Sequence, residues 1–227
     1  MVSILNKLFQ KNKKQIPLVF DVDDVILNST EAITNILNEK FKLNPPLKED
    51  DNKGWTFTKF KREIKKQKNI ELSTKQIQEL FQTKEFWDTV QLKDGILDIV
   101  TDTNIIKNFK IIFASQGTKE NLKHKIIFLK KHFNMIDIEF IGIPLDLDNP
   151  SYKKDSLDIS NGIQIDDKYS CLNTNASLKI LLKNFKETDY NQILDVREDL
   201  YEINDLFQLK EILLFAIKNY KEFKNKR

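Results

Sequence analysis

The run Ile16-Pro17-Leu18-Val19-Phe20-Asp21-Val22-Asp23-Asp24-Val25-Ile26 constrains this chain more than any other stretch. Ile16, Leu18, Val19 and Phe20 form a short apolar segment without polar alternation, the pattern of a strand buried on both faces of a parallel sheet. Three carboxylates, Asp21, Asp23 and Asp24, follow within four positions. Close to the end of a buried strand they repel one another, and a divalent cation with a preference for oxygen ligands relieves that repulsion. Side chains alternate along a strand, so Asp21 and Asp23 point the same way if the extended geometry continues. A strand followed by a solvated acidic turn has the same local pattern, and the stretch alone leaves both readings open.

The remaining chain repeats the theme. Residues 109–114, 138–143, 162–165 and 178–182 read as four further strands. Between them lie helical patterns: 29–40 with Ile33, Ile36 and Leu37, a helix running from Gly95 to residue 102, 118–133 with Leu122, Ile126, Leu129 and Phe133, and 207–222 with Leu209, Ile212, Leu213 and Ala216. Alternating strands and helices predict a doubly wound α/β domain around a parallel sheet. Ligands of such sheets bind beyond the carboxyl ends of the strands. Polar groups fall there repeatedly: Asp21 and Asp23 after the first strand, Ser115 after the second, Asp166 and Asp167 after the fourth.

From Leu47 to Trp87 the composition shifts to Lys, Gln and Glu punctuated by Trp55, Phe57, Phe60, Phe81, Phe86 and Trp87. Helical patterns near 56–67 and 74–82 predict a small helical insertion, a cap over the strand ends. The expected organisation is an N-terminal arm over 1–15, an α/β core over 16–42 and 88–227, and the cap over 43–87. For the arm, a helix and a frayed tail are both open.

Composition narrows the class. With 227 residues, 40% hydrophobic and 31% charged, the chain fits a folded globular protein. A net charge of +3 is too small to argue for nucleic-acid binding. The single cysteine, Cys171, rules out an internal disulfide and fits a reducing, cytoplasmic setting. No apolar stretch is long enough to cross a bilayer, and the first 15 residues lack the charge-then-apolar order of a secretory signal. A membrane role is not expected. The oligomeric state stays open, a homodimer included.

Asp21-Val22-Asp23-Asp24-Val25 resembles, at each defined position, the DxDx(T/V) first signature of the haloacid dehalogenase superfamily of phosphotransferases. Ser115 at a strand end matches the second signature, and Ile165-Asp166-Asp167 the fourth. The third is a lysine, and position alone does not separate Lys119, Lys123 and Lys125. The run from Lys125 to His132-Phe133 is similar to the Lys-x-x-Trp-x-x-x-His-Phe/Leu segment of the 5'(3')-deoxyribonucleotidase branch, so the resemblance selects Lys125. Phe86-Trp87 before Gly95, and Ile180-Leu181-Leu182 before Tyr190-Asn191, extend the likeness over residues 17–195.

This resemblance implies a Mg²⁺-dependent 5'-nucleotidase that hydrolyses nucleoside monophosphates, deoxyribonucleotides in particular, through an aspartyl-phosphate. It implies Asp21 as nucleophile and Asp23 as general acid, with Mg²⁺ held by Asp21, Asp23, Asp166 and Asp167. Ser115, Gln116 and Lys125 would bind the phosphoryl group. A nucleobase presents a flat π-face, and stacking on an aromatic ring is worth ~1–3 kcal/mol. Trp55 and Phe57, next to Gly54 in a polar stretch, are the cap aromatics expected to be exposed for that purpose. Gln116 stands where that branch usually has Pro, Asp24 replaces a common Gly, and the Ser115-to-Lys125 spacing is short; all three bear on substrate choice. A polynucleotide 3'-end phosphatase is the competing enzymatic reading. A non-catalytic phosphate-binding regulatory module is the other, and the presence of both Asp21 and Asp23 argues against it.

Overall fold

The computed structural model describes residues 1–11, 14–52, 54, 56–133, 138–145, 157–172, 175–183 and 198–225. Trp55, and Tyr190-Asn191 of the family likeness, lie outside them.

Six parallel strands form one sheet: β1 (Ile16–Phe20), β2 (Phe109–Gly117), β3 (Glu139–Pro144), β4 (Ile163–Asp166), β5 (Leu178–Leu182) and β6 (Leu200–Ile203). Their spatial order is β3-β2-β1-β4-β5-β6, and every neighbouring pair is parallel. The doubly wound α/β expectation therefore holds, with a sixth strand beyond the five expected. From β1 the chain winds outward through β2 and β3, then crosses back to β4 and winds the other way. Winding reverses between β1 and β4, and the crevice at such a switch point is where open α/β sheets bind ligands.

The sheet is covered on both faces, as a parallel sheet must be. Phe109, Ile111 and Phe113 of β2 join Leu18 and Phe20 of β1 in the main core, while Ile112 and Ala114 pack with Val19, Leu157, Ile159 and Ala176 on the opposite face. The main core is closed by α6 (Ile96–Val100), α7 (Thr103–Asn108), α8 (Lys119–His132) and α9 (Leu206–Asn225). Gly95 opens α6 with φ +85°, and a Cβ there would come within 3.1 Å of Leu206 on α9. Both conditions favour glycine.

The first residues form a docked helix, α1 (Val2–Lys11), not a frayed tail. Leu5, Leu8 and Phe9 recur at helical spacing and are buried against α9. The Phe9 ring stacks on Tyr220 at 4.7 Å and meets Phe109 edge-on at 5.6 Å.

Between β1 and α6 the chain makes a helical insertion. It holds α2 (Ser29–Phe41), a 3-10 turn (Glu49–Asp51), α3 (Thr58–Lys68), α4 (Thr74–Glu79) with a second 3-10 turn (Leu80–Gln82), and α5 (Lys84–Thr89). Two chain passages meet beneath it. Leu27 and Leu92 form an antiparallel bridge, flanked by Asn28 N–H donating to Gln91 O and Lys93 N–H donating to Ile26 O. On the helical side of this stem α2 packs against α5.

Candidate active site

Parallel pairing explains how the acids meet. Phe20 of β1 is opposite Ile165 of β4, so the next residues, Asp21 and Asp166, are neighbours across strands that run about 4.8 Å apart. The Asp21 N–H donates to Ile165 O at 2.9 Å and extends the ladder by one step. Asp166 ends β4 almost wholly buried, 1% exposed, and its Oδ1 accepts the Lys168 N–H at 3.0 Å. Asp21, Asp166 and Asp167 each bring one carboxylate oxygen to within 4.8 Å of the others.

That trio fits a hard divalent cation. Oxygens bound to one Mg²⁺ at ~2.1 Å can be no more than roughly 4.2 Å apart, so small side-chain rotations close the observed spacing. Asp23, named with them from the sequence, has its carboxylate elsewhere. Its oxygens accept the Ser29 hydroxyl at 2.8 Å and the Lys125 ammonium.

Lys125 is the residue that geometry brings in. On α8 the inward stripe is Asn121, Leu122, Lys125 and Leu129, so a lysine occupies a position that periodicity reserves for the core. Its side chain is fully buried, and Nζ donates to Asp23, to Ser115 Oγ at 2.6 Å and to Gln116 O at 3.3 Å. Ser115 faces α8 because it lies two residues beyond Phe113 on the same side of β2. Lys119 and Lys123 are exposed on the outer face, and Lys123 pairs with Glu120 at 2.9 Å.

Asp24 takes up a left-handed conformation, φ +56°, which Asp tolerates better than most residues. Its carboxylate turns to the start of α2, accepting the Thr30 N–H at 2.8 Å and the Thr30 hydroxyl at 2.6 Å, while Lys93 Nζ donates to its carbonyl at 3.0 Å. An anion at a helix N-terminus is favourable. Burial nonetheless raises the Asp24 carboxyl above its ordinary value, with Lys93 and Thr30 acting in the opposite sense. A carboxyl raised in the folded state contributes its full stability below the ordinary carboxylate pKa and loses it as pH rises through the folded value. In chelated, metal-free protein, Asp24→Asn is therefore expected to raise the melting temperature at pH 8 relative to wild type and to lose that advantage near pH 3. A larger gain in acid than at pH 8 would contradict the burial of the charge.

An open cleft of about 650 Å³, its mouth included, joins the acids, while Ser115 and Lys125 are buried behind its lining. Asp21, Asp23, Asp24, Asp166 and Asp167 line it together with Gln116. Phe57 forms part of its wall, but the expectation of an exposed ring is corrected: Phe57 is 2% exposed. Its positive φ of 50° turns the side chain inward to the neighbouring Phe60 ring, 6.0 Å away. Trp87 stacks on His124 and lies tilted against Phe128 on α8, and it donates its indole N–H to Phe81 O at 3.0 Å. His132 packs on Phe128 and is remote from the cleft lining.

Sequence reasoning missed Thr30, Asn52, Phe81, Leu145, Lys168 and Cys171 as cleft residues. Asn52 reaches in from the turn after Glu49–Asp51, with its amide 3.4 Å from the Thr30 hydroxyl. Ser29 and Thr30 carried a usable signal, since hydroxyls at a helix start just after an acidic turn can reach back to those acids.

No family model matches the sequence, and no curated protein does. Solved structures do match in fold. A HAD hydrolase of Bacillus subtilis bound to magnesium superposes with a TM-score of 0.54 at 16% identity, over 88% of this chain and 99% of that one. A protein described as a phosphoglycolate phosphatase of Lactobacillus delbrueckii gives 0.54 at 15% identity, covering 88% and 98%. A protein described as a phosphatase of Clostridium difficile gives 0.55 at 15%, covering 89% and 100%. The shared feature is the fold: a Rossmann-like parallel sheet with helical insertions, as in HAD hydrolases. No helix among the described residues is long and apolar enough to cross a membrane.

Proposed function

We propose that this chain is a Mg²⁺-dependent phosphomonoesterase acting on nucleoside monophosphates through an aspartyl-phosphate. One observation carries the reading. At the sheet's switch point a trio of carboxylates, Asp21, Asp166 and Asp167, lies beside a separate unit in which Lys125 bridges Asp23 and Ser115. A binding module needs no acid paired and oriented beside a second acid. Phosphoryl transfer needs a nucleophile, a proton donor and positive charge around the phosphoryl oxygens.

Asp21, Asp166 and Asp167 would hold Mg²⁺, with the Asp23 carbonyl as a further oxygen. When bound, the cation screens the anionic substrate from the anionic nucleophile and polarises the phosphoryl oxygens. An Asp21 carboxylate oxygen attacks phosphorus. Asp23, held by Ser29 and Lys125, gives a proton to the leaving ester oxygen and later takes one from water. Ser115, the Gln116 backbone and Lys125 place donors and positive charge at the phosphoryl group. In this reading the cap is the segment 43–87, and α2 packs against its α5 on the helical side of the Leu27–Leu92 stem. Phe57 is buried in the cleft wall, which leaves Trp55, two residues before it, as the cap aromatic for a base to pack on.

The names of the similar structures support a phosphate ester as substrate class. The test is phosphate release from a panel of monoesters with and without Mg²⁺. Turnover of nucleoside monophosphates is expected with Mg²⁺ and is expected to fall to background in excess chelator, returning when Mg²⁺ is restored. Undiminished turnover after confirmed metal removal would contradict the metal assignment.

A further inference from the structure

The strand β4 reads Ile163-Gln164-Ile165-Asp166, and all four residues are buried. Ile163 and Ile165 belong to the main core, so the alternation of a strand puts Gln164 on the opposite face of the sheet. Its partners in register are Val19 of β1 and Lys179 of β5. A carboxamide in the middle of a parallel sheet is costly to bury unless it is hydrogen-bonded. Gln164 is 1% exposed, and its Nε2 donates to the carbonyl of Cys171 at 2.8 Å.

Cys171 ends a 3-10 turn, Tyr169–Cys171, that begins three residues after Asp166. The last carbonyls of a helical turn have no partner within it, and Gln164 supplies one to the buried Cys171. From there hydrogen bonds run without a break to the acid. The Cys171 N–H donates to Lys168 O at 3.0 Å, and the Lys168 N–H donates to Asp166 Oδ1 at 3.0 Å. The Leu172 N–H donates to Tyr169 O at 3.1 Å and tightens the same turn. Gln164 and Asp166 stand two residues apart on one strand, and the turn that follows is bonded to both of their side chains.

We propose that Gln164 is a positioning residue for the divalent cation: by anchoring Cys171 O it holds the turn whose Lys168 N–H orients the Asp166 carboxylate. The assignment rests on the metal site proposed above and names a residue outside the cleft lining that sets its affinity. Mg²⁺ tolerates little departure from octahedral geometry, so a ligand free to wander binds it less well. Without a donor at position 164 the Cys171 carbonyl loses this bond in a buried setting. The turn then relaxes to recover it, and carries the Lys168 N–H away from Asp166. Were Gln164 only filling space or satisfying a carbonyl, its replacement would lower stability and leave metal affinity alone.

Calorimetry of the full chain with Mg²⁺, together with melting curves, reads affinity and stability separately. Gln164→Met nearly keeps the length of the side chain and removes its donor. Its Kd for Mg²⁺ is expected to rise by ~10–100-fold, the usual effect of losing a group that orients a metal ligand. Ile163→Val, one residue earlier, trims the core on the other face of the sheet. It is expected to melt lower than wild type yet to bind Mg²⁺ within about twofold of it. A Gln164→Met affinity within about twofold of wild type, or an equal weakening in Ile163→Val, would overturn the assignment.

Should Gln164→Met fail to fold, hydrogen exchange in the wild type decides. Coupling between the cation and the turn is reciprocal, so saturating Mg²⁺ is expected to slow exchange of the Cys171 amide and of the Gln164 side-chain amide. Unchanged exchange at both would overturn the assignment. If the wild type binds no Mg²⁺, the metal reading fails instead, and exchange in the ion-free variants decides the positioning role. Faster exchange of the Lys168 and Cys171 amides in Gln164→Met than in Ile163→Val supports it, and equal rates overturn it.

Discussion

Asp21→Asn is expected to lower turnover by on the order of 10⁴-fold or more while leaving the fold intact, since removing a nucleophile that acts in concert with its partners abolishes the covalent route. Asn has the size of Asp, and the Asp21 backbone bond to Ile165 O does not involve the side chain. The exchange also removes one charge from a trio whose oxygens lie within 4.8 Å. Metal-free Asp21→Asn protein should therefore melt at or above the wild-type temperature, because like charges at that range destabilise the folded state. Phosphate release together with a melting curve checks both halves. Turnover within tenfold of wild type would remove Asp21 from the chemistry, and a large drop in melting temperature would mean that its charge is needed for folding.

Lys125→Ala carries the second large effect, and here stability and activity fall together. The Lys125 ammonium is buried between Asp23, Ser115 and the Gln116 carbonyl. Removing one partner of a buried ion pair leaves the other uncompensated and costs ~3–5 kcal/mol. Loss of a preorganised donor at the phosphoryl group costs a further ~10²–10³ in kcat. Lys123→Ala removes the same formal charge two residues earlier. Lys123 and its partner Glu120 both have side chains 56% exposed, and such pairs are worth ~0–1 kcal/mol. Urea unfolding and steady-state kinetics on the two variants separate a local role from a general electrostatic one. Equal losses would contradict the placement of Lys125.

The parts of this site that were legible in the sequence are those set by the sheet. A strand buried on both faces is mostly apolar, so Leu18-Val19-Phe20 announces itself, as does Ile163–Ile165 with Gln164 its one polar residue, and the acids that follow each strand inherit their position. Lys125 was harder. Its signal is a lysine on an apolar helical stripe, but three nearby lysines blurred it, and only the family resemblance chose among them. Short elements left little trace: α5 and α7 have six residues each, fewer than two turns, and β6 is a half-buried edge strand without a continuous apolar run. Phe57 misled because a polar stretch beside a glycine suggests exposure, whereas a positive φ turned the ring inward. Asn52 and Phe81 reach the cleft only through tertiary packing of the cap, which no local pattern encodes.

The covalent step is the most direct point of attack. Wild-type protein mixed with Mg²⁺ and a nucleoside monophosphate, quenched in acid during turnover and digested, should yield a peptide spanning Asp21 that carries one phosphoryl group, and hydroxylamine should remove it, as an acyl phosphate requires. The same treatment of Asp21→Asn should yield none. A phosphoryl group trapped on another residue, or on the Asp21→Asn protein at the wild-type level, would contradict an aspartyl-phosphate at Asp21.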